Sequence, residues 1–553
     1  MRHPPGGASL RCVGLSVSHH RPFPAASQVR LDFDWSSFVQ PRPRLRIIAV
    51  AAAAVCLALA MPTPAGAQTS AIVGATVIDG HGGEPLRDLT VLVQNGEILL
   101  VGPRAQVQIP VGAEVIDGQG RFVVPGFIDL NNHITGQGFH EDLFPLLLYG
   151  VENPILEFGY AVEAAQMALK SGVTTVRDTY GPLPPLLEIR DLITSGDIVG
   201  PRLMVAGDII GWGGPHHDRG PLTDRQKLFN EYFHGWADLG VDLTTRSPAE
   251  VAERVDRYID LGPDFIKYAA TTHGTDPPVH IVFSPRVQRT IVETAHRRGL
   301  KVDVHTSSVE GLLLAAEAGA DIITHAGSPG DQLIPDDVIR VLKERGTVCA
   351  IFSHMTWGPL ADAFLARGSG ASAGEPSPEE LISEMWPYRN IRDRVPEYRE
   401  LLERWARENP SRDLRAQVLG ERENHHRLIR GGCRIAIATD NAPSGIPELA
   451  GAGASVPFFA DPGTGTLLAI EGLVGLGMTP SEAIVAATKT GASAAGVLDR
   501  VGTVEAGKIA DLLILDADPL ADISNIRRLW RVMKAGVVID PASLPTDPRY
   551  YRR

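Results

Sequence analysis

Pro285-Arg-Val-Gln-Arg-Thr-Ile-Val-Glu-Thr-Ala-His-Arg-Arg298, Lys301-Val-Asp-Val-His305, Val309-Glu-Gly-Leu-Leu-Leu-Ala-Ala-Glu-Ala318 and Asp321-Ile-Ile-Thr-His325 follow one another with only short connections. The first and third segments have helical periodicity; the second and fourth are short apolar runs that end on a histidine. Strands that return in one direction across helices form a parallel sheet. The same alternation extends upstream, where Val162–Lys170 reads as a helix and Val173-Thr-Thr-Val-Arg177 as a strand. Residues 125–496 therefore read as an α/β unit, a (β/α)8 TIM barrel with an insertion at about 356–429. That insertion is charged, helix-rich and punctuated by prolines, and reads as a lid near the barrel mouth. A doubly wound sheet is the alternative, but no G-x-G-x-x-G follows the first strand.

The flanks have another texture. Ala75-Thr-Val-Ile-Asp79, Thr90-Val-Leu-Val-Gln94, Ile98-Leu-Leu-Val101 and Glu114-Val-Ile-Asp117 are strand-like runs, with Asn95-Gly96 as a hairpin turn between two of them. Similar runs return at Ala510–Leu515, Leu529–Met533 and Gly536–Ile539. The expectation is one composite β-sandwich built from both ends, residues 68–124 and 497–553.

Upstream, Arg42, Arg44 and Arg46 precede an apolar run from Ile47 to Ala60 and an Ala65-Gly66-Ala67 site. Such a run spans about 21 Å as a helix, short of a bilayer core of about 30 Å. It reads as a signal peptide cleaved before Gln68, with export to the periplasm or outside the cell. Residues 1–41 read as an upstream extension, so residues 1–67 form one N-terminal unit. Their removal leaves 45 basic against 63 acidic residues, a net charge of −18 compared with −13 for the full chain. An acidic chain lacks the basic face that nucleic-acid binding needs. Four cysteines in 553 residues exclude a disulfide framework. Two of them, Cys349 and Cys433, lie beyond residue 67, and Cys349 reads as a small buried hydrophobe.

In a barrel the strand C-termini converge on the active site. Asp129 and His133 follow Phe127-Ile128, Lys267 follows Phe265-Ile266, and His305, His325 and Asp440 close three further apolar runs. Any one alone reads as a hydrogen-bonded structural residue. Gathered at one mouth, imidazoles and a carboxylate form a ligand set for Zn²⁺ or a similar divalent ion. Lys267 is one of only eight lysines among 52 basic residues. A desolvated lysine can lose its proton and take up CO₂ as a metal-bridging carbamate; the alternative is a surface lysine reaching out from a strand end. His216 and His217 in Gly211-Trp-Gly-Gly-Pro-His-His217, Tyr268, His273 and His354 are candidates for substrate contact. His425 and His426 read as solvated positions on a charged helix.

Together Val77–Gly80, Pro125-Gly-Phe-Ile-Asp129, Gly172–Asp178, Gly200-Pro-Arg202, Ala295–Val302, Gly319–His325, Thr439-Asp440, Met478-Thr-Pro480 and Gly507–Leu512 mark the chain as similar to the amidohydrolase superfamily. The resemblance is to its imidazolonepropionase-like and metal-dependent prolidase-like branch. It implies metal ligands at His133, Lys267 (carboxylated), His305, His325 and Asp440, with Asp440 also the proton shuttle. The family pattern Asp-x-His-x-His is here Asp129-Leu-Asn131-Asn-His133, so Asn131 stands as a weak or lost ligand. The expected metal complement is one tight divalent ion, zinc by preference, with room for a second. The implied function is that of a secreted hydrolase cleaving a C–N bond in an amide, dipeptide or cyclic amide. In that reading metal-bound hydroxide attacks a small-molecule substrate. The mature chain would engage neither nucleic acid nor membrane, and a homo-oligomer is compatible with it. Two alternatives stay open: an ester, lactone or carbamate hydrolase using the same site, and a binding protein that lost catalysis with the ligand at Asn131.

Overall fold

Asn95 and Gly96 both take positive φ, 52° and 85°, and turn the chain between two antiparallel strands, β2 (Leu86–Gln94) and β3 (Glu97–Pro103). Paired left-handed residues match the twist of a hairpin, which is why Asn-Gly suits this corner. The computed structural model describes residues 69–135, 154–212, 239–272, 279–329, 332–358, 414–441 and 462–544, together with 361 and 365. The segment read as a signal peptide, most of the 356–429 insertion, and His216, His217 and His273 lie outside these residues.

The hairpin belongs to an eight-stranded mixed sheet. Its other N-terminal members are β1 (Thr69–Val77), β4 (Glu114–Asp117) and β5 (Phe122–Pro125). Its C-terminal members are β15 (Leu512–Leu515), β16 (Leu529–Lys534) and β17 (Val537–Ile539). The two ends meet where β5 runs antiparallel to β15, with Val124 opposite Leu513. Ile72, Val91, Val93, Leu512, Ile514 and Met533 form its own core. Each such buried aliphatic side chain contributes about 1.5–3 kcal/mol.

Between these ends the strands among the described residues pair in parallel. One sheet holds β6 (Phe127–Asn132), β7 (Val173–Asp178) and β8 (Arg202–Val205). A second holds β9 (Ile209–Ile210), β10 (Phe265–Ala269), β11 (Lys301–His305), β12 (Ile322–Thr324), β13 (Val348–Ile351) and β14 (Arg434–Ile437), each beside its sequence neighbour. Just beyond β14 the backbone bonds to β6: Asp440 N–H donates to Asn131 at 2.8 Å, and His133 N–H to Asn441 at 2.7 Å.

Helices fill the connections: α1 (Pro154–Lys170), α2 (Leu183–Ser195), α3 (Pro248–Ile259), α4 (Pro285–Arg297), α5 (Val309–Ala318), α6 (Asp336–Arg345), α7 (Ser353–Thr356), α8 (Leu414–Arg430) and α9 (Thr464–Gly475). Their starts follow local chemistry. Ser247 caps α3 with a reciprocal bond to Glu250, and Ser284 and Ser308 cap α4 and α5. The alternation read from 285–325 is thus present as α4, β11, α5 and β12, though His325 falls one residue past its strand.

Candidate active site

Every parallel strand that ends in a polar residue delivers it to the same end of its sheet. Asp440 and His325 carry the clearest backbone signal. Among the described residues only five besides glycine have positive φ, and His325 (59°) and Asp440 (55°) are two of them. A non-glycine residue in that conformation costs roughly 1–3 kcal/mol, and such strain collects at functional sites.

Asp440 is held on one side by β6. Its Oδ1 accepts from Asn131 Nδ2 at 2.8 Å and lies 2.9 Å from His133 Nε2. His133 Nδ1–H donates to the Tyr180 carbonyl at 3.3 Å, which orients the ring so that Nε2 meets the carboxylate. Burial works to raise the Asp440 pKa, but His325, His133 and Lys267 outweigh it and hold the group well below the usual carboxylate range. Asn131 is itself buried, and Thr179 donates its hydroxyl to the Asn131 carboxamide oxygen. The amide therefore stands between Thr179 and Asp440. Behind it, Asp129 Oδ2 accepts from Thr439 at 2.6 Å and Thr466 at 2.7 Å, and burial pushes its pKa up to about 6. Asp129 therefore braces the strand end.

On the other side His305 and His325 meet edge to face, with ring centroids 4.9 Å apart. Burial and the neighbouring His325 and Lys267 push His305 well below its ordinary value, so it is a neutral imidazole. Lys267 is buried; its Nζ donates to Thr324 Oγ1 at 2.5 Å and lies 3.3 Å from Asp303 Oδ1. Burial lowers its pKa against the pull of Asp303 and Asp440. Asp303 Oδ2 in turn meets Arg177 Nη1 at 3.3 Å, and that guanidinium lies 3.6 Å over the Phe265 ring. Arg177 and Asp303, both fully buried, were not singled out from sequence. A charged residue inside a buried apolar strand, as in Val-Asp-Val-His305, was the available signal.

Five of the sequence-derived residues, His133, Lys267, His305, His325 and Asp440, thus interact across one end of the parallel strands. Among the described residues no three His, Cys, Asp or Glu side chains form one metal cage. The acceptors come instead as two pairs, with Lys267 acting electrostatically on His305 and Asp440. That donor set fits a divalent cation: neutral imidazoles and an ionised carboxylate are its usual ligands. Lys267 would join it only as a carbamate, because an ammonium has no lone pair to give.

Two expectations are corrected. Tyr268 is fully buried, and its hydroxyl donates to Gln288 Oε1 on α4 at 3.0 Å. Side chains alternate along a strand, so with Lys267 facing the site its neighbour faces the helices. His425 is not solvated: it is fully buried, and its ring nitrogen Nδ1 lies 2.8 Å from Thr356 Oγ1. His426 is half-buried, with its Nδ1–H on the Leu476 carbonyl at 3.0 Å. Cys349 is a buried free thiol, as expected.

The family model for the Amidohydrolase family matches residues 122–539. Imidazolonepropionase from Symbiobacterium thermophilum is 26% identical over 479 residues, covering 78% of this chain and 86% of that protein. Among solved structures, molinate hydrolase superposes with a TM-score of 0.70 at 30% identity, covering 87% of this chain and 97% of that one. Phenylurea hydrolase B gives 0.69 at 29% identity, covering 87% and 99%. The resemblance read from scattered motifs is borne out, and with it the reading as an enzyme rather than a binding protein. The chain belongs to the amidohydrolase family, hydrolases of carbon–nitrogen bonds whose members generally use divalent metals.

Proposed function

We propose that the chain is an exported, metal-dependent hydrolase that cleaves a C–N bond in a small amide, dipeptide, cyclic amide or urea. The observation that carries this is Asp440: an ionised carboxylate at positive φ, bonded to Asn131 and His133 and acted on by His325 and Lys267. The parallel strands close into a (β/α)8 barrel in this reading, supported by the backbone bonds that tie Asn131 and His133 to the segment after β14. The end sheet then packs as a β-sandwich. A cation, zinc by preference, when bound lowers the pKa of a water molecule and polarises the scissile carbonyl.

The protein's own groups do the rest. Asp440 Oδ1 is occupied by Asn131 and His133, which leaves Oδ2 to take a proton from the attacking water and return it to the leaving nitrogen. His133 keeps that carboxylate in place, and the Tyr180 carbonyl keeps His133 in place. His305, His325 and a carboxylated Lys267 would hold one cation tightly. His133 and Asp440 would hold a second more loosely, with Asn131 contributing little.

The test is a hydrolysis panel of dipeptides, N-acyl amino acids, anilides, aryl ureas and aryl esters, run with Zn²⁺ or Mn²⁺ and again after chelation. Chelator-sensitive cleavage of a C–N substrate is expected. Cleavage of esters alone would favour the ester hydrolase alternative, and no turnover of any compound would overturn the proposal. Export is checked separately: protein recovered from its host should begin at or near Gln68, and an intact Arg42–Ala67 segment would refute it.

A further inference from the structure

Away from the strand ends, α6 and α8 flank an open cleft of about 400 Å³, within the range of small-molecule pockets. Asp336, Arg340 and Lys343 line it from α6, and Arg427 and Arg430 from α8, above a floor of Ile339. Gly431 lets the end of α8 come down onto that floor: a Cβ there would lie within 2.3 Å of Ile339 Cγ2. The lining thus holds four cations and one carboxylate, in a chain whose net charge is −13. Arg340 with Lys343, and Arg427 with Arg430, are each three residues apart on one helix, so each wall presents two like charges on one face.

Neighbouring acids offset these charges only in part. Asp336 pairs with Arg427 at 2.6 Å, while Glu344 and Glu423, both outside the lining, pair with Arg340 at 3.1 Å and Arg430 at 2.7 Å. Exposed pairs of this kind are weak and rearrange readily in water. Lys343 is exposed and has no ion pair among the described residues; its Nζ lies over bare backbone at Gly432, where a Cβ would come within 3.1 Å. A ligand with two anionic groups meets both walls at once, and guanidinium forks suit phosphate, sulfonate or carboxylate oxygens. Arg427 also ties the cleft to the catalytic end of the molecule. Its Nε donates to the Ile334 carbonyl at 2.8 Å, and Asn424, three residues earlier, donates to the Gln332 carbonyl at 2.9 Å and accepts from the Ile334 N–H at 2.8 Å. Gln332 and Ile334 lie on the connection that leads from His325 to α6, so the cleft wall and that connection move as one.

We propose that the cleft between α6 and α8 binds a small molecule carrying two anionic groups, a bisphosphate, disulfonate or dicarboxylate, and that occupancy steadies the connection behind His325. The site is separate from the hydrolytic centre, and its test does not depend on turnover. Calorimetry on the full, Zn²⁺-loaded chain at matched ionic strength would compare benzene-1,3-disulfonate, which does not chelate zinc, with benzenesulfonate. The disulfonate should bind once per chain and at least about 10-fold more tightly, the worth of one further charge-assisted contact. Lys343→Glu and Arg430→Glu should each weaken it by at least about 10-fold, with Lys343→Ala in reserve should charge reversal disturb folding. Asp336→Asn removes the one acid of the lining and should tighten binding about 3-fold, the scale of an exposed charge pair. Hydrogen exchange at the Ile334 amide should slow when the disulfonate is bound. No binding, equal affinity for the two sulfonates, or unchanged affinity in the Lys343 and Arg430 variants would overturn the site. Binding that disappears when zinc is removed would place the ligand at the metal and overturn it as well. Binding in the cleft with unchanged exchange at Ile334 would overturn the link to the His325 connection.

Discussion

Asp440 and His133 hold each other at 2.9 Å, and each has a further protein partner, Asn131 on the carboxylate and the Tyr180 carbonyl on the ring. Across the site, His305 and His325 meet edge to face, His305 Nε2 lies 3.2 Å from Ser307 Oγ, and Lys267 is engaged by Asp303 and Thr324. The first half is oriented by hydrogen bonds that the fold already makes. The second adds to its hydrogen bonds a buried ion pair, Asp303 with Arg177, that fixes the wall behind the lysine. Damage to the first half should therefore show in proton handling, and damage to the second in cation retention.

The largest effect is expected at Lys267. Lys267→Ala should lose most bound metal and nearly all activity, and bicarbonate with a short-chain carboxylic acid should restore part of both. Elemental analysis beside the rate checks this, and unchanged metal and rate would make the lysine a purely structural cation. Asp440→Asn should lower kcat by about 10²- to 10⁴-fold, the usual range for removing a general acid–base, while keeping part of the metal. Loss of all metal there would mean that the two halves are not separable.

Asn131 sharpens the comparison at a smaller scale. Asn131→His places an imidazole at the family's ligand position and should tighten a second, weakly held ion by about 10- to 100-fold, a range that even indirect contacts reach. Metal titration reads it; two equally tight ions already present in the wild type would make Asn131 a competent ligand. The smallest effect concerns pH and stability. With folded pKa values of about 4 and about 3, below the ordinary 6.5, His354 and His425 stay neutral in the fold while the unfolded chain takes up protons. Their contribution is therefore present above about pH 6.5 and lost as pH falls towards about 3–4. His425→Gln should lose less stability than the wild type over that window, read as the difference between their thermal midpoints from pH 7 to pH 4. Parallel curves would show that His425 is not the group responsible.

Much of this was legible in the chain because parallel βα repeats obey a directional rule. A polar residue at the end of an apolar run needs no knowledge of its partner to be placed at the shared end of the parallel strands, which is how His133, Lys267, His305, His325 and Asp440 were identified. The same local logic located the Asn95-Gly96 hairpin. It failed where burial depends on a distant neighbour. His425 sits on a helix whose sequence is charged, yet packing of α8 against Gly327 and Thr356 closes over it. Tyr268 was drawn into the site by its adjacency to Lys267, whereas strand alternation turns it to Gln288.

The sequence by itself determined the strand–helix order, the polar residues at the strand ends and the family. Tertiary structure alone decided which of those residues touch. Asn131 meets Thr179 and Asp440, 48 and 309 residues away, and Lys267 meets Asp303 through the register that sets β10 against β11. Periodicity is a property of a single segment and is written locally. Register, burial and the ionisation that follows from burial belong to pairs of segments, and exist only once the chain has folded.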